Sequence, residues 1–501
     1  MIKNTLLFAI SGVAITAGVS CSSVPNSNKH SVELLNQSTY TRSELQKLRA
    51  FLAPTTSIAV THAGIVKAAD RPLNSKDDPT HYDAVWMRDS LWVYLGLHSQ
   101  PSTQEQSTKI LLRMFDYLSS PQQIERMKRV IAQPSLLQSK DGQMKAVHIR
   151  FDANSPDFED VMINGKAQVW NHKQNDAVGL LLDLVLRAIN TGEISTDQET
   201  DAHLSALVYL VEYFRKIKFY QMEDAGPWEE LERVNSSSIG LVTSALERLN
   251  TMLKDPSSDF QTWAQALKGA AQRLGLSKTL EPQTLEALVH KGYERVFKQI
   301  RAGGESPLYP VGDPHFRKAD AALLNLIYPA KLKRLSFEDK KHILKLIEPL
   351  IGEMGIRRYI GDSYQSGNFW MDSVSDKTGN SSSSESFAAR GEKFIKGSEA
   401  QWFFDSWYSK TAGQLYRESG DVEFQKLQLK FFKRALNQIT EGTAEHPVLA
   451  ADGHPVMPMA LPESYNTIVE QGKRHFAPSP ITPLNWAKAS LLLALDELYK
   501  N

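Results

Sequence analysis

The chain has 501 residues, 42% of them hydrophobic and 23% charged, with nine Trp, which is ample material for a large buried core. Lys plus Arg and Asp plus Glu both number 57, a balance that gives no reason to expect nucleic acid or an anionic surface as partner. A single cysteine excludes an intramolecular disulfide, and the thirteen His show no ligand spacing that would call for a metal; no cofactor is expected.

Residues 1–20 carry one early Lys3, an apolar run from Leu6 to Val19, and small residues at the end. This is the pattern of an export signal, and it is too short for a membrane span. Ala17-Gly18-Val19-Ser20-Cys21-Ser22 resembles a bacterial lipoprotein cleavage box, in which the cysteine, here Cys21, becomes the lipidated first residue. Gly18 departs from the aliphatic residue usual at its position, and a simple cleaved signal is the alternative. By the same resemblance, Ser22 in place of Asp favours outer-membrane sorting in a Gram-negative host. Residues 21–31 then read as a polar tether rich in Pro, Asn and Ser. The expected location is the cell envelope, membrane-anchored, on the periplasmic or outer-surface face. Residues 32–501 read as one domain.

Helical spacing of apolar residues recurs through that domain, at 41–51, 104–118, 176–189, 202–214, 237–252, 260–274 and 284–300. It continues at 319–327, 337–351, 400–416, 422–439 and 484–498. With no sustained alternation, short apolar pieces such as 146–151 belong to loops or small hairpins, and the serine-rich run 379–386 to a long loop. The pattern predicts an all-α protein, best satisfied by helix pairs closing into an (α/α)6 barrel with long rim loops. Such a rim is where catalytic groups belong.

The first polar block is His81-Tyr-Asp-Ala-Val-Trp-Met-Arg-Asp-Ser-Leu-Trp92. Arg88 and Asp89 supply a donor fork and a two-oxygen acceptor suited to sugar hydroxyls, and Trp86 and Trp92 offer faces to a pyranose. A surface ion pair beside core tryptophans is the competing reading. In Gln168-Val-Trp-Asn-His-Lys-Gln-Asn-Asp176, Asn175 or Asp176 suits a helix cap, while Trp170, Gln174 and Asp176 suit a cavity wall where that helix begins. Trp228-Glu229-Glu230 follows a Gly-Pro turn and precedes a Ser-rich helix start. A carboxyl buried beside Trp228 with a like charge next door rises in pKa and stays protonated, as a glycosidic acid must, although paired Glu at a helix start more commonly face its dipole. Asp320 and Glu399 read as ligands or helix-start carboxylates, and Arg358-Tyr359 as a clamp for a leaving sugar. Glu463 follows Leu461-Pro462, where proline restrains the backbone and fixes the carboxylate that would hold a water.

Taken in order from Tyr82 to Leu495, these blocks resemble glycoside hydrolase family 15, the glucoamylase and glucodextranase group, and its relative in the large phosphorylase kinase subunits. The resemblance rests on Trp86-x-Arg88-Asp89, Trp228-Glu229-Glu230, Asp320-Ala, Arg358-Tyr359, Glu399-x-x-Trp402, Pro462-Glu463 and Thr482-Pro-Leu-x-Trp486. It implies an (α/α)6 barrel in which Arg88 and Asp89 grip a terminal glucose, Glu229 is the general acid and Glu463 the general base. Glu230 and Arg358 would then surround the leaving-group sugar, with Trp402 in the pocket wall. The implied activity is inverting, exo-acting hydrolysis releasing glucose from an α-linked gluco-oligosaccharide. One departure is that Leu231-Glu232-Arg233 intervenes before Val234-Asn235-Ser236-Ser237, a spacing closer to the kinase-subunit branch. It leaves Glu230 and Glu232 behind Glu229 as alternative acids, and a non-hydrolytic carbohydrate-binding or regulatory protein as the alternative function.

Overall fold

The computed structural model describes residues 39–70, 81–195, 200–255, 257–366, 384–443 and 445–501. The export signal, Cys21 with its tether, and most of the run 379–386 lie outside the described residues.

Fourteen α-helices are described. They are α1 (Arg42–Thr56), α2 (Met87–His98), α3 (Gln104–Leu118), α4 (Pro121–Ala132), α5 (Asn175–Thr191), α6 (Asp201–Ile217) and α7 (Ser236–Met252). The chain continues with α8 (Ser258–Arg273), α9 (Pro282–Ala302), α10 (Phe337–Ile347), α11 (Ser384–Lys393), α12 (Phe404–Ser419), α13 (Val422–Leu436) and α14 (Asn485–Lys500). Six segments close an inner ring: α2 packs on α5, α5 on α7, α7 on a 3-10 run at Ala321–Leu326, that run on α12, α12 on α14, and α14 back on α2. Outside them lie α1, α3, α9, α10 and α13, each against an inner partner, and α6, which packs on α3, α4 and α8. This is the (α/α)6 barrel.

The burial of each helix follows its composition. Outer α3 buries Ile110, Leu111, Met114, Phe115 and Leu118 along one stripe, so its periodicity is plain in the sequence. Inner α2 buries every residue from Met87 to Leu97 and has no polar stripe, so periodicity misses it. The close approach of α14 to α2 needs Gly96, where a Cβ would stand 2.7 Å from Ala489 Cα.

Several expected helices differ. The stretch 319–327 is 3-10 rather than α, opened by Asp320, whose carboxylate accepts from Ala322 N at 2.8 Å, and followed by Pro329. Pro349 turns the end of the expected 337–351 helix into a 3-10 turn, Glu348–Leu350. The segment 400–416 starts as strand Gln401–Trp402, because Trp402 is paired on both edges, to Ser464 and to Ile356, and the helix begins only at Phe404. Gln401–Trp402 joins Ser464–Glu470 and Lys473–Pro478 in a three-stranded antiparallel sheet. Its hairpin turns at Gln471 and Gly472, both at positive φ, a turn signal that Gln in place of Asn or Asp obscures. At 146–151, Arg150–Phe151 pairs with Val85–Trp86 and fixes the entry into α2.

Candidate active site

Segments leading into the inner helices converge on one cavity of about 660 Å³ counted to its open mouth. Trp86, Arg88 and Asp89 reach it from the start of α2, Trp170 from the loop before α5, and Trp228, Glu229 and Glu230 from the loop before α7. Arg358, Trp402 and Glu463 complete the sequence-predicted residues that line it. Asp176, Tyr359 and Glu399 stand behind the wall. Asp176 accepts from Arg88, Tyr359 donates to Glu230, and Glu399 straps the Arg358 loop through Gly361 N at 3.0 Å.

The loop carrying the paired glutamates is closed at its base by Asp224 and Arg233, whose backbones exchange two hydrogen bonds of 2.9 Å. Gly226 sits at φ +60°, and a Cβ there would meet Asn235 Nδ2 at 2.8 Å. The 3-10 turn Gly226–Trp228 ends on Glu229 in the left-handed region, so the pair is not a helix start and faces no helix dipole. Helix α7 begins at Ser236, and Asn235 before it makes no side-chain cap; Glu305 caps the helix instead through Ser237 N and Oγ. Likewise neither Asn175 nor Asp176 caps α5. Asp224 accepts from Asn175 N at 2.9 Å, which frees Asp176 for Arg88. The third carboxylate of the run, Glu232, is tied to Asn171 and Lys173 and does not line the cavity.

Arg88 donates to Asp176 at 2.6 Å, Gln174 at 2.5 Å, Gly226 O at 3.2 Å and Glu229 at 2.8 Å, so most of its five N–H groups serve the protein. The other oxygen of Glu229 accepts from Trp170 Nε1 at 2.9 Å. The Trp170 ring meets Trp86 edge-on, and Arg150 lies over both faces at 4.2 and 4.9 Å. Burial raises the Glu229 carboxyl above the ordinary glutamate range, against the opposing pull of Arg88. Burial likewise pushes Asp89 up to about 7 despite the adjacent Arg88.

Glu463 accepts from Tyr82 Oη and from Gln365 Nε2, both at 2.5 Å. Gln365 is oriented in turn by Ser464 Oγ at 2.5 Å. Both donors favour the ionised form, yet burial dominates and lifts Glu463 to about 8. Tyr82, in the same buried place, is raised well above 10 and stays a donor.

Glu230 behaves in the opposite way. Its Oε1 accepts from Arg358 at 2.8 Å and Arg390 at 3.0 Å, and its Oε2 from Tyr359. Burial would raise it, but Arg358, Arg390 and Arg317 outweigh burial and hold it well below the usual range. Asp362 clamps Arg358 through two bonds of 2.6 Å.

Sequence reasoning passed over Tyr82, Tyr364, Gln365 and Arg390 as site residues, and used Trp486 only as part of a motif. Tyr82 lies inside the first polar block, and Tyr364-Gln365 follows Arg358 closely. Arg390 carried no signal, since α11 starts inside the serine-rich run. The indole N–H groups of Trp402 and Trp486, both on the cavity wall, are buried without an acceptor among the described residues. No cluster of His, Cys, Asp and Glu suited to a metal occurs among the described residues.

The family model for glycosyl hydrolases family 15 matches residues 48–299, half of the chain. The chain belongs to that family. At family level this makes it a glycoside-hydrolase-like protein. It is 44% identical over 202 residues to "Uncharacterized lipoprotein YgeQ" of Escherichia coli (strain K12), covering 39% of this chain and 76% of that protein. It is 26% identical over 311 residues to the "Probable phosphorylase b kinase regulatory subunit alpha" of Caenorhabditis elegans, covering 58% of this chain but 22% of that much longer one. Among solved structures, the glucoamylase from Saccharomycopsis fibuligera superposes with a TM-score of 0.53 at 15% identity, over 93% of this chain and 96% of that one, which shows a shared fold.

Proposed function

We propose that the protein is an inverting, exo-acting α-glycoside hydrolase that releases terminal glucose from α-linked oligosaccharides, held at the cell envelope by a lipid on Cys21. The observation that carries the reading is the pair of separately held carboxyls on one cavity, Glu229 between Arg88 and Trp170, and Glu463 between Tyr82 and Gln365. Glu229 protonates the departing glycosidic oxygen. Glu463 takes a proton from a water attacking the opposite ring face, a geometry that needs the carboxyls roughly 6.5–9.5 Å apart. With Glu463 lifted to about 8, turnover at neutral pH runs through the fraction of molecules in which Glu463 is ionised and Glu229 is protonated. Asp89 and Trp86 meet the terminal sugar, while Arg358 and Trp402 meet the leaving sugar. The lipid anchor rests on the Cys21 box and on the likeness to a protein named as a lipoprotein.

The Arg88–Glu229 ion pair of 2.8 Å favours a second reading, because it stabilises the candidate acid in its ionised form. A carbohydrate-binding or regulatory protein would tolerate that, and the likeness to a kinase regulatory subunit agrees with it. Hydrolysis assays on α-1,4- and α-1,6-linked gluco-oligosaccharides separate the two, with Glu463→Gln alongside. Turnover abolished in the variant supports the hydrolase; binding without turnover, unaffected by the substitution, supports the second reading.

A further inference from the structure

The carboxyls of the cavity are held by different kinds of partner. Glu229 and Glu230 each accept from a guanidinium, whereas Glu463 accepts from a phenol and an amide, Tyr82 on Oε1 and Gln365 on Oε2. A neutral donor fixes a carboxylate with less loss of basicity than a cation causes, which suits a group that must take a proton. With one donor on each oxygen, Glu463 keeps acceptor capacity for a water.

Of these two donors, Gln365 is the one whose backbone is strained. It is fully buried and forms no part of the cavity wall, so a bound sugar does not touch it. Its backbone stands at φ +56°, in the left-handed region that L residues other than Asn and Asp seldom occupy. The turn before it is set by other residues. Asp362, clamped by Arg358, accepts from Tyr364 N at 3.0 Å, and Ser366 Oγ donates to Ser363 O at 2.8 Å. Glycine would adopt the same backbone without strain, but it carries no amide.

That amide is held at both ends. Nε2 donates to Glu463, and Oε1 accepts from Ser464 Oγ at 2.5 Å. Ser464 directly follows Glu463 and opens the strand Ser464–Glu470, where it pairs with Trp402. Glu463 N donates to Ile481 O at 2.9 Å and Ser479 N to Ser464 O at 2.8 Å, so the backbone under both side chains is fixed. Turning the amide over would set oxygen against oxygen at Glu463. Left-handed backbone also recurs where the other groups are aimed: Glu229 itself and His81, directly before Tyr82, both stand at φ +56°.

We propose that Gln365 is a positioning residue for Glu463: its amide, held by Ser464 and by a left-handed backbone, fixes the carboxylate in the plane from which it takes a proton from the attacking water. This role rests on the reading of Glu463 as the base. A glutamine that merely filled a buried loop would affect stability and leave the chemistry of the folded molecules unchanged.

The test follows the full chain on maltotriose and on α-glucosyl fluoride. Fluoride leaves with little protonation, so its release reports the base rather than the acid. Gln365→Leu should lower kcat about tenfold to a hundredfold on both substrates, with KM changed less than about threefold. Glu229→Gln should lose far more on maltotriose than on the fluoride. Removing the Nε2 donor also raises Glu463, so the limb of the kcat profile set by Glu463 moves to higher pH by roughly 0.5–1 unit. The other charged and titratable groups facing Glu463, namely Tyr82, Tyr364, Arg358 and Asp89, are untouched by the substitution. In Gln365→Glu two carboxyls share one proton, a donor toward Glu463 survives in that form, and kcat lies between those of the unaltered protein and Gln365→Leu. Ser464→Ala loses only the orienting hydroxyl and should move kcat and the limb in the same direction by less. The position of the limb and the ratio of the two substrates do not depend on how much of a variant folds. Gln365→Leu with an unaltered kcat overturns the role and leaves the hydrolase standing. A lower kcat with the limb unmoved marks a loss of folded protein and overturns it too. Neither substrate turned over by the unaltered protein removes the base and this role together.

Discussion

On one wall of the cavity a single guanidinium, Arg88, serves Asp176 and Glu229, whereas on the other Arg358 and Arg390 share Glu230 and a further carboxylate, Asp362, holds Arg358 from behind. The consequence is visible in two residues adjacent in the chain. Glu229 is raised by burial and Glu230 is held low by arginines, although both are buried and both line the same cavity. The difference teaches that burial here sets the direction by default, and that it takes more than one guanidinium to reverse it. Asp89, beside Arg88, and Glu463, which feels Arg358, each meet one guanidinium and follow the default to about 7 and about 8.

The largest break in that contrast is removal of the carboxyls themselves. Glu229→Gln and Glu463→Gln should each lower kcat by roughly 10²–10⁴-fold, the usual worth of a positioned acid or base, while Glu230→Gln should act mainly on KM. Steady-state kinetics on a maltooligosaccharide decides this. Next in size, Arg358→Met strands the buried Asp362 and leaves Glu230 to Arg390 and Tyr359, and should cost about 3–5 kcal/mol of folding stability in a denaturant titration. Arg88→Met should cost a similar amount, because it strands the buried Asp176, while Glu229, already raised, escapes its charge by taking a proton.

Two substitutions move different limbs of the pH–rate profile. Tyr82 donates to Glu463 and lowers it, so Tyr82→Phe raises the base and shifts the limb set by Glu463 to higher pH. Trp170 donates to Glu229 and lowers it, so Trp170→Phe raises the acid and shifts the other limb, set by Glu229, to higher pH. Stability follows the same signs. Glu463 is raised from 4.5 to about 8, so the native state binds more protons than the unfolded state between those values. Its contribution is complete below the unfolded value and is lost as pH rises through about 8. Glu463→Gln should therefore flatten the fall in thermal midpoint between pH 5 and about 9. The smallest effect is Gly226→Ala, which forces an L side chain to φ +60° against Asn235 and should cost about 1–2 kcal/mol.

The barrel was legible because most outer helices are amphipathic and because inner helices such as α5 are long apolar runs. Helix α2 was not, since a helix buried on all sides has no stripe to count and its residues were taken for a polar block. The cavity residues were legible where aromatic and charged groups crowd the entry to an inner helix, as at Trp86-x-Arg88-Asp89 and Trp228-Glu229-Glu230. Partners that meet only through the fold were not. Tyr82 and Glu463 are 381 positions apart, and Glu230 and Arg390 are 160 apart. Arg390 also sits on a short helix whose composition is polar, in a region that reads as loop.

The most direct test of the central claim is the anomeric form of the first sugar released, followed by proton NMR while the full chain acts on an α-1,4-linked maltooligosaccharide. Glu229 as acid and Glu463 as base predict β-glucose appearing before mutarotation, and its loss in Glu463→Gln. Initial release of α-glucose, or substrate that stays intact while its lines broaden on binding, would contradict the account.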